Sequence, residues 1–335
     1  MPRGVPTLIA IILCTGLLAL AAWLTRGFGP SPTTPTTTLA PATTTADTNP
    51  AVLPNASVRI ITANIRMDEP DDGPNAWQKR RELLVKTLLK YGPDIIGCQE
   101  VSPAQGAYLI KQLNGYSHYP RGTAEGTATT RTSSLAAELE GTLSGLNTVF
   151  FREDRLDLLE GANGLVLPDQ LQQIPTENTF FTLLVLADHN SRVPKLIVVD
   201  THLRHGDKFA AQCAARIRAI IAEKRAKYPG AQVVVIGDMN HDRGSKSYAA
   251  LTAVPETDGG LEQLVDTFDY SKKAPKELWG NWHGFTGITR RGLPTDLIFA
   301  AGPMEHSPAE ILRDHDADNH FPSDHFFVMT TLSIR

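Results

Sequence analysis

The sequence predicts an α/β protein built on two mixed β-sheets flanked by helices. Strand candidates alternate with amphipathic helical stretches in the first part of the domain, whereas later strands cluster around one long helix. The chain is also large enough: 335 residues, of which 41% are apolar, can bury one large core or two smaller ones.

Two segments of different chemistry precede that core. Residues 1–26 contain an uncharged apolar run, 5–24, between Arg3 and Arg26, long enough to cross a bilayer. The run also holds Ala19-Leu20-Ala21, a small-residue cleavage signature, so anchor and cleaved signal both stay open, the anchor being preferred. One arginine on each flank leaves the orientation undecided. Residues 27–51 are dominated by Thr and Pro, with Asp47 the one charge, and read as a disordered tether. A tether behind an apolar segment suits the outer side of a membrane. The expectation is therefore an extracytoplasmic domain, 52–335, with the membrane as partner, or a secreted one if the segment is cleaved.

Within the domain, residues 57–66 (SVRIITANIR) read as a strand running into a loop. Asn75 and Gln78 form a capping-box pattern, and Trp77, Arg81, Leu84, Val85 and Leu88 recur at helical spacing until Tyr91-Gly92-Pro93. Residues 94–98 make a short strand. Ser102-Pro103-Ala104-Gln105 then repeats the capping pattern, leaving Glu100 at a strand-to-helix junction. Residues 121–146, rich in Thr, Gly, Ser and Ala, read as a mobile insertion. Further strands are expected at 148–151, 180–186, 195–201, 232–237, 295–300 and 325–332, with an amphipathic helix at 207–227.

Six apolar strands end in side chains that can handle a metal or a phosphate. They are Thr62-Ala63-Asn64, Cys98-Gln99-Glu100, Asp200-Thr201-His202, Gly237-Asp238-Met239-Asn240, Thr295-Asp296 and Ser323-Asp324-His325. Each alone is ordinary, since Asp and His are common at turns. Together and in this order they resemble the endonuclease/exonuclease/phosphatase superfamily of apurinic endonucleases, pancreatic-type DNases, sphingomyelinases, deadenylases and inositol-polyphosphate phosphatases. Asn64-Ile65-Arg66, Asp72-Gly73, Asn75-Ala76-Trp77, Arg80-Arg81, the run from Asp94 to Glu100 and His283-Gly284-Phe285 are similar to a bacterial branch of it.

The resemblance implies a DNase-like four-layer sandwich and metal-dependent hydrolysis of a phosphodiester or phosphomonoester. That chemistry needs charge neutralisation on the phosphoryl oxygens, an aligned water and a stabilised leaving oxygen. Hard oxygen ligands suit Mg2+ or Mn2+. By resemblance, Glu100 and Asp324 are the metal carboxylates, with Asn64 nearby, in part through water. Asp238 orients and deprotonates the attacking water, and Asn240, His202 and His325 face the phosphate. Asp296 fixes the His325 tautomer and favours its charged form.

Departures bear on the substrate. Phe150-Phe151-Arg152 lacks the Tyr that related sequences show, and with it a phenolic hydroxyl that could bind phosphate; Leu297 replaces an aromatic after Asp296, which would alter the cleft wall. Arg204 stands where the branch commonly has Asp, and an extra cation there favours a more anionic substrate. Net charge is -4, and Arg216, Arg218, Lys224 and Arg225 read as a solvated helix surface, so nucleic acid is an open but disfavoured partner. No protein partner is predicted. An extracytoplasmic nuclease would use the same residues; a catalytically silent anion-binding module would need only some of them. Cys14, Cys98 and Cys213 lie in unlike settings and suggest no disulfide framework.

Overall fold

Runs of branched apolar residues with both faces covered make the central strands, and their order along the chain sets the layers. The computed structural model describes residues 57–120, 146–166, 179–189, 194–254, 263–271, 279–289, 292–301 and 304–333. The apolar N-terminal segment, the tether and 121–145 of the insertion lie outside the described residues. Among the described residues no helix is long and apolar enough to cross a membrane.

The strands are β1 (Ser57–Asn64), β2 (Ile95–Val101), β3 (Tyr116–Tyr119), β4 (Leu146–Arg152), β5 (Leu156–Leu165) and β6 (Phe180–Asp188). They continue with β7 (Pro194–His202), β8 (Gln232–Asp238), β9 (Leu264–Asp266), β10 (Asp296–Ala301), β11 (Glu310–Leu312) and β12 (Phe327–Ser333). The α-helices are α1 (Trp77–Lys90), α2 (Pro103–Gln112), α3 (Asp207–Lys227) and α4 (Lys246–Thr252). Among these residues the strands form two six-stranded sheets, ordered β11-β12-β1-β2-β4-β3 and β5-β6-β7-β8-β10-β9. Each sheet is mixed, with one parallel pair at its centre: β1 with β2 across α1, and β7 with β8 across α3.

Pleat alternation divides the core. Ile60, Ile95, Phe151, Val198, Val234 and Ile298 pack between the sheets. Ile61, Ile96 and Phe150 turn outward under Leu84, Leu88 and Leu109 of α1 and α2. Ile197, Val199, Val235 and Phe299 turn outward under Ile217 and Ile221 of α3. The order helix, sheet, sheet, helix is the four-layer sandwich expected. The sheets approach closely at Gly97, where an added Cβ would lie 2.4 Å from Ile236 Cδ1.

Local expectations fared unevenly, for physical reasons. Ser102 and Gln105 close the capping box at the start of α2. At α1 the cap is Ala76, without a side-chain bond, because Asn75 ends a 3-10 turn (Pro70–Asn75) and Gln78 reaches Asp68 instead. The buried face of α1 carries Arg80, not Arg81, because neighbouring carbonyls satisfy the Arg80 guanidinium. Strand β5 escaped notice: Gly161, Asn163 and Gly164 mask its pattern. On α3, Arg218 is buried on the Leu251 carbonyl, and Lys224 meets Glu160 with Lys227 and Tyr228, so that helix is not a solvated basic surface throughout. Leu297 faces a core, so it does not shape a cleft wall, and Phe150 and Phe151 are buried in cores as well. Cys98 and Cys213 are free and buried.

Candidate active site

The two parallel pairs bring their carboxyl ends to the same edge of the sandwich. Asn64 ends β1, His202 ends β7 and Asp238 ends β8, with His202 opposite Asp238 in register and Asp296 opposite Asp238 from antiparallel β10. Gly237 makes the close β7–β8 pairing beside His202 and Asp238 possible. Its φ is 144°, and a Cβ would lie 1.8 Å from the Thr201 carbonyl oxygen.

Asn64 connects the sheets: its Nδ2 donates to Glu100 Oε1 at 2.9 Å and to Asp238 Oδ2 at 3.0 Å. Its Oδ1 accepts from the Arg66 N–H at 3.0 Å, so the amide bridges two carboxylates rather than presenting its oxygen beside Glu100. Glu100 sits at a bulge of β2 with φ 62° and also accepts from the Met67 N–H at 3.1 Å. The opposite wall holds the imidazoles. His202 Nε2 is 3.5 Å and His325 Nε2 3.9 Å from Asp238 Oδ2, while His325 Nδ1 is 2.8 Å from Asp296 Oδ2. Asn240, with φ 54°, receives its cap from Asp238 Oδ1 and turns its amide onto His202 Nε2 at 2.8 Å and the Leu203 carbonyl at 2.7 Å.

Burial raises the energy of every charge here, and neighbours compensate. For Glu100, burial is outweighed by the charges of His202 and His325 and by bonds from Asn64 and Met67, which hold it below the ordinary value. Asp238 is lowered in the same way: burial opposes ionisation, and the two histidines overcome it. His325 is pushed up to about 10; burial resists, but Asp296, Asp238 and Asp324 prevail. Burial and the Asp238 charge raise Asp296, whose Oδ1 is buried without a hydrogen-bond partner. The site therefore holds a charged imidazole against an ionised Asp238.

Asp324 completes the carboxylate side. Ser323 Oγ donates to the Asn64 carbonyl at 2.7 Å, placing the next residue beside β1, and Trp282 Nε1 approaches Asp324 Oδ2 at 3.4 Å. Glu100 and Asp324 offer hard oxygen donors that fit Mg2+ or Mn2+. Asp238, Asp296 and His325 also offer ligand atoms within 4.8 Å of one another, although the His325–Asp296 bond already occupies Nδ1. The eight site residues expected from the sequence thus share one edge.

Arg204 follows Leu203, whose carbonyl accepts from Asn240. Its guanidinium stacks on Phe209 at 4.6 Å and its Nε donates to the His205 carbonyl, on the α3 side. Three residues support the site without being expected there: Asn281 and Trp282 have no sequence signal, and Arg80 stands out in the sequence only as part of the branch motif. Asn281 bonds the Asp296 carboxylate and accepts from the Thr295 N–H at 2.9 Å; Trp282 bridges to His325; Arg80 donates to the carbonyls of Ile65, Arg66, Met67, Asn75 and Pro322. The contacts of these three span up to 242 positions, which no local pattern encodes.

The model of the Endonuclease/Exonuclease/phosphatase family matches residues 61–325, which include all eight. The chain belongs to this family. A family protein from Bacteroides thetaiotaomicron has the same fold, with TM-score 0.65 and 19% identity over 82% of this chain and 94% of that one. A mannosyl-6-phosphatase from the same organism gives TM-score 0.64 and 19% identity over 82% and 99%. The human Nocturnin catalytic domain, solved with a bound sulfate anion, gives 0.60 and 19% over 84% and 95%. Among curated proteins nothing matches. The family membership and its DNase-like fold agree with the sequence reading.

Proposed function

We propose that this family member hydrolyses a phosphodiester or phosphomonoester outside the cytoplasm. The supporting observation is the position of Asp238: one buried carboxylate faced by Asn64 from one sheet and by His202 and His325 from the other side. An ionised carboxylate there orients a water and accepts its proton as the water oxygen bonds phosphorus and the ester bond breaks. His325, kept charged by Asp296, neutralises the phosphoryl oxygens, and His202, oriented by Asn240, faces them. Glu100 and Asp324 would hold a divalent cation, which when bound supplies Lewis-acid neutralisation of phosphate charge. The mannosyl-6-phosphatase and the sulfate-bound Nocturnin domain are consistent with a phosphate-sized anion in such a cleft.

The test is hydrolysis of p-nitrophenyl phosphate, bis-p-nitrophenyl phosphate, phospholipids and DNA with Mg2+ or Mn2+. Turnover should vanish in Asp238→Ala and His325→Ala; a folded protein that binds Mg2+ and anions but cleaves none of these points to a silent binding module. Attachment through residues 1–26 is part of the proposal. Membrane fractionation and protease accessibility in whole cells check it, with recovery in the cytosol as the contrary result.

A further inference from the structure

Among the described residues, five that are not glycine adopt left-handed backbone: Arg66, Glu100, Asn240, Phe285 and Asn319. Such conformations are unfavourable for residues with a side chain and persist where surrounding contacts enforce them, often at functional sites. Glu100 and Asn240 already have roles in the site. Arg66, with φ 57°, has none, yet its backbone is fixed from both sides. Its N–H donates to Asn64 Oδ1 at 3.0 Å, and its carbonyl accepts from Arg80 Nη2 at 2.7 Å and Gln105 Nε2 at 2.8 Å.

The side chain is equally constrained. Asp72 grips one edge of the guanidinium through Nε at 3.2 Å and Nη2 at 3.0 Å. A planar guanidinium held this way turns its Nη1 end away from the gripping carboxylate. The side chain is 31% exposed, and Asp324 and Glu100 both act on its charge. Arg66 is therefore anchored to the Asn64 amide oxygen, and its charge is felt by Glu100 and Asp324, the carboxylates that would hold the cation. In an in-line displacement water enters and alcohol leaves on opposite sides of phosphorus. With Asp238 directing the water, an alcohol leaving on the side of Glu100 and Asp324 would pass Arg66.

We propose that Arg66 is a specificity-determining residue whose free guanidinium end donates to oxygens of the leaving alcohol, selecting oxygen-rich groups such as a sugar over apolar alcohols. The inference rests on the phosphoester reading and names its leaving-group class. Asp72 acts through Arg66 by fixing the plane of the donor.

The test is calorimetric binding of two phosphonates, which cannot be hydrolysed, to the full chain with Mg2+: the methylene analogue of glucose 6-phosphate, and benzylphosphonate. Glycine suits a φ of 57°, so Arg66→Gly removes the side chain without backbone strain and should keep the thermal midpoint close to wild type. Wild type should bind the sugar analogue about tenfold or more tighter than benzylphosphonate. Arg66→Gly should erase that preference, weakening the sugar analogue about tenfold or more and benzylphosphonate by less than about threefold, as loss of a charged hydrogen bond requires. Arg66→Lys should restore part of the preference. Equal weakening of both ligands, no change in either, or no preference in wild type overturns the proposal. If the preference holds while wild type cleaves none of the mono- and diesters tested, the hydrolysis reading fails and Arg66 is a selector of oxygen-rich phosphate ligands, no longer of a leaving alcohol.

Discussion

Asn64 Nδ2 lies 3.0 Å from Asp238 Oδ2, a bond between residues 174 positions apart that joins the two sheets at their carboxyl ends. The same amide hydrogen-bonds Glu100, so the proposed base and one proposed metal carboxylate are set by a single side chain.

Loss of that bridge should separate activity from folding. Asn64→Ala should lower kcat by roughly 10- to 100-fold, and Asp238→Asn by roughly 100- to 10,000-fold, the range for general-base groups. Steady-state kinetics beside circular dichroism checks this. A normal kcat in Asp238→Asn would remove Asp238 from the chemistry.

Cation dependence should follow the carboxylates. EDTA should abolish turnover, and Glu100→Gln or Asp324→Asn should raise the Mg2+ concentration for half-maximal rate by about tenfold or more. Titration of rate against free Mg2+ reads it, and an unshifted midpoint in both variants would move the cation elsewhere.

Gly237→Ala should fail on steric grounds. The new methyl would meet the Thr201 carbonyl oxygen at 1.8 Å, at a φ of 144°, within the parallel β7–β8 pair. A loss of roughly 3–5 kcal/mol is expected, read from urea unfolding.

Arg80→Met should open the loop beneath the site. It removes donors to five carbonyls, including that of Pro322 just before Ser323 and Asp324. The expected cost is about 3 kcal/mol, with turnover falling as Asp324 loses its fixed place. Lys, with one point of charge, should not rescue it.

Acid should act on the second sheet through Glu160. Burial opposes its charge, but Lys224, Lys227 and Tyr228 lower it to about 2 from 4.5. Because the folded value is depressed, this contribution is complete above pH 4.5 and is lost as pH falls through about 2. Discounted for its partial exposure, it amounts to about 1–2 kcal/mol. Urea midpoints of wild type and Glu160→Gln should differ at pH 7 and converge toward pH 2; a gap independent of pH would contradict this.

Legibility tracked the range of the information. Helix α3 matched its expected bounds because amphipathic spacing and the Tyr228-Pro229-Gly230 stop are local. The two capping patterns looked alike, yet only Ser102 formed its box; Asn75 belongs to a turn fixed in part by Arg80. Short strands such as β9 and β11 have too few residues to show a period and exist through their neighbours.

The layer composition, the family and the polar motifs flanking the strands were legible along the chain, because periodicity and motif order can be read residue by residue. Tertiary structure decided that Asn64 would bridge rather than present its oxygen, that Arg204 would turn onto Phe209, and that Asn281, Trp282 and Arg80 would support the site. Those choices depend on which groups meet across the sheets and loops. A buried polar atom takes whatever partner the fold brings within hydrogen-bonding distance, and that partner is set by packing rather than by adjacency in the chain.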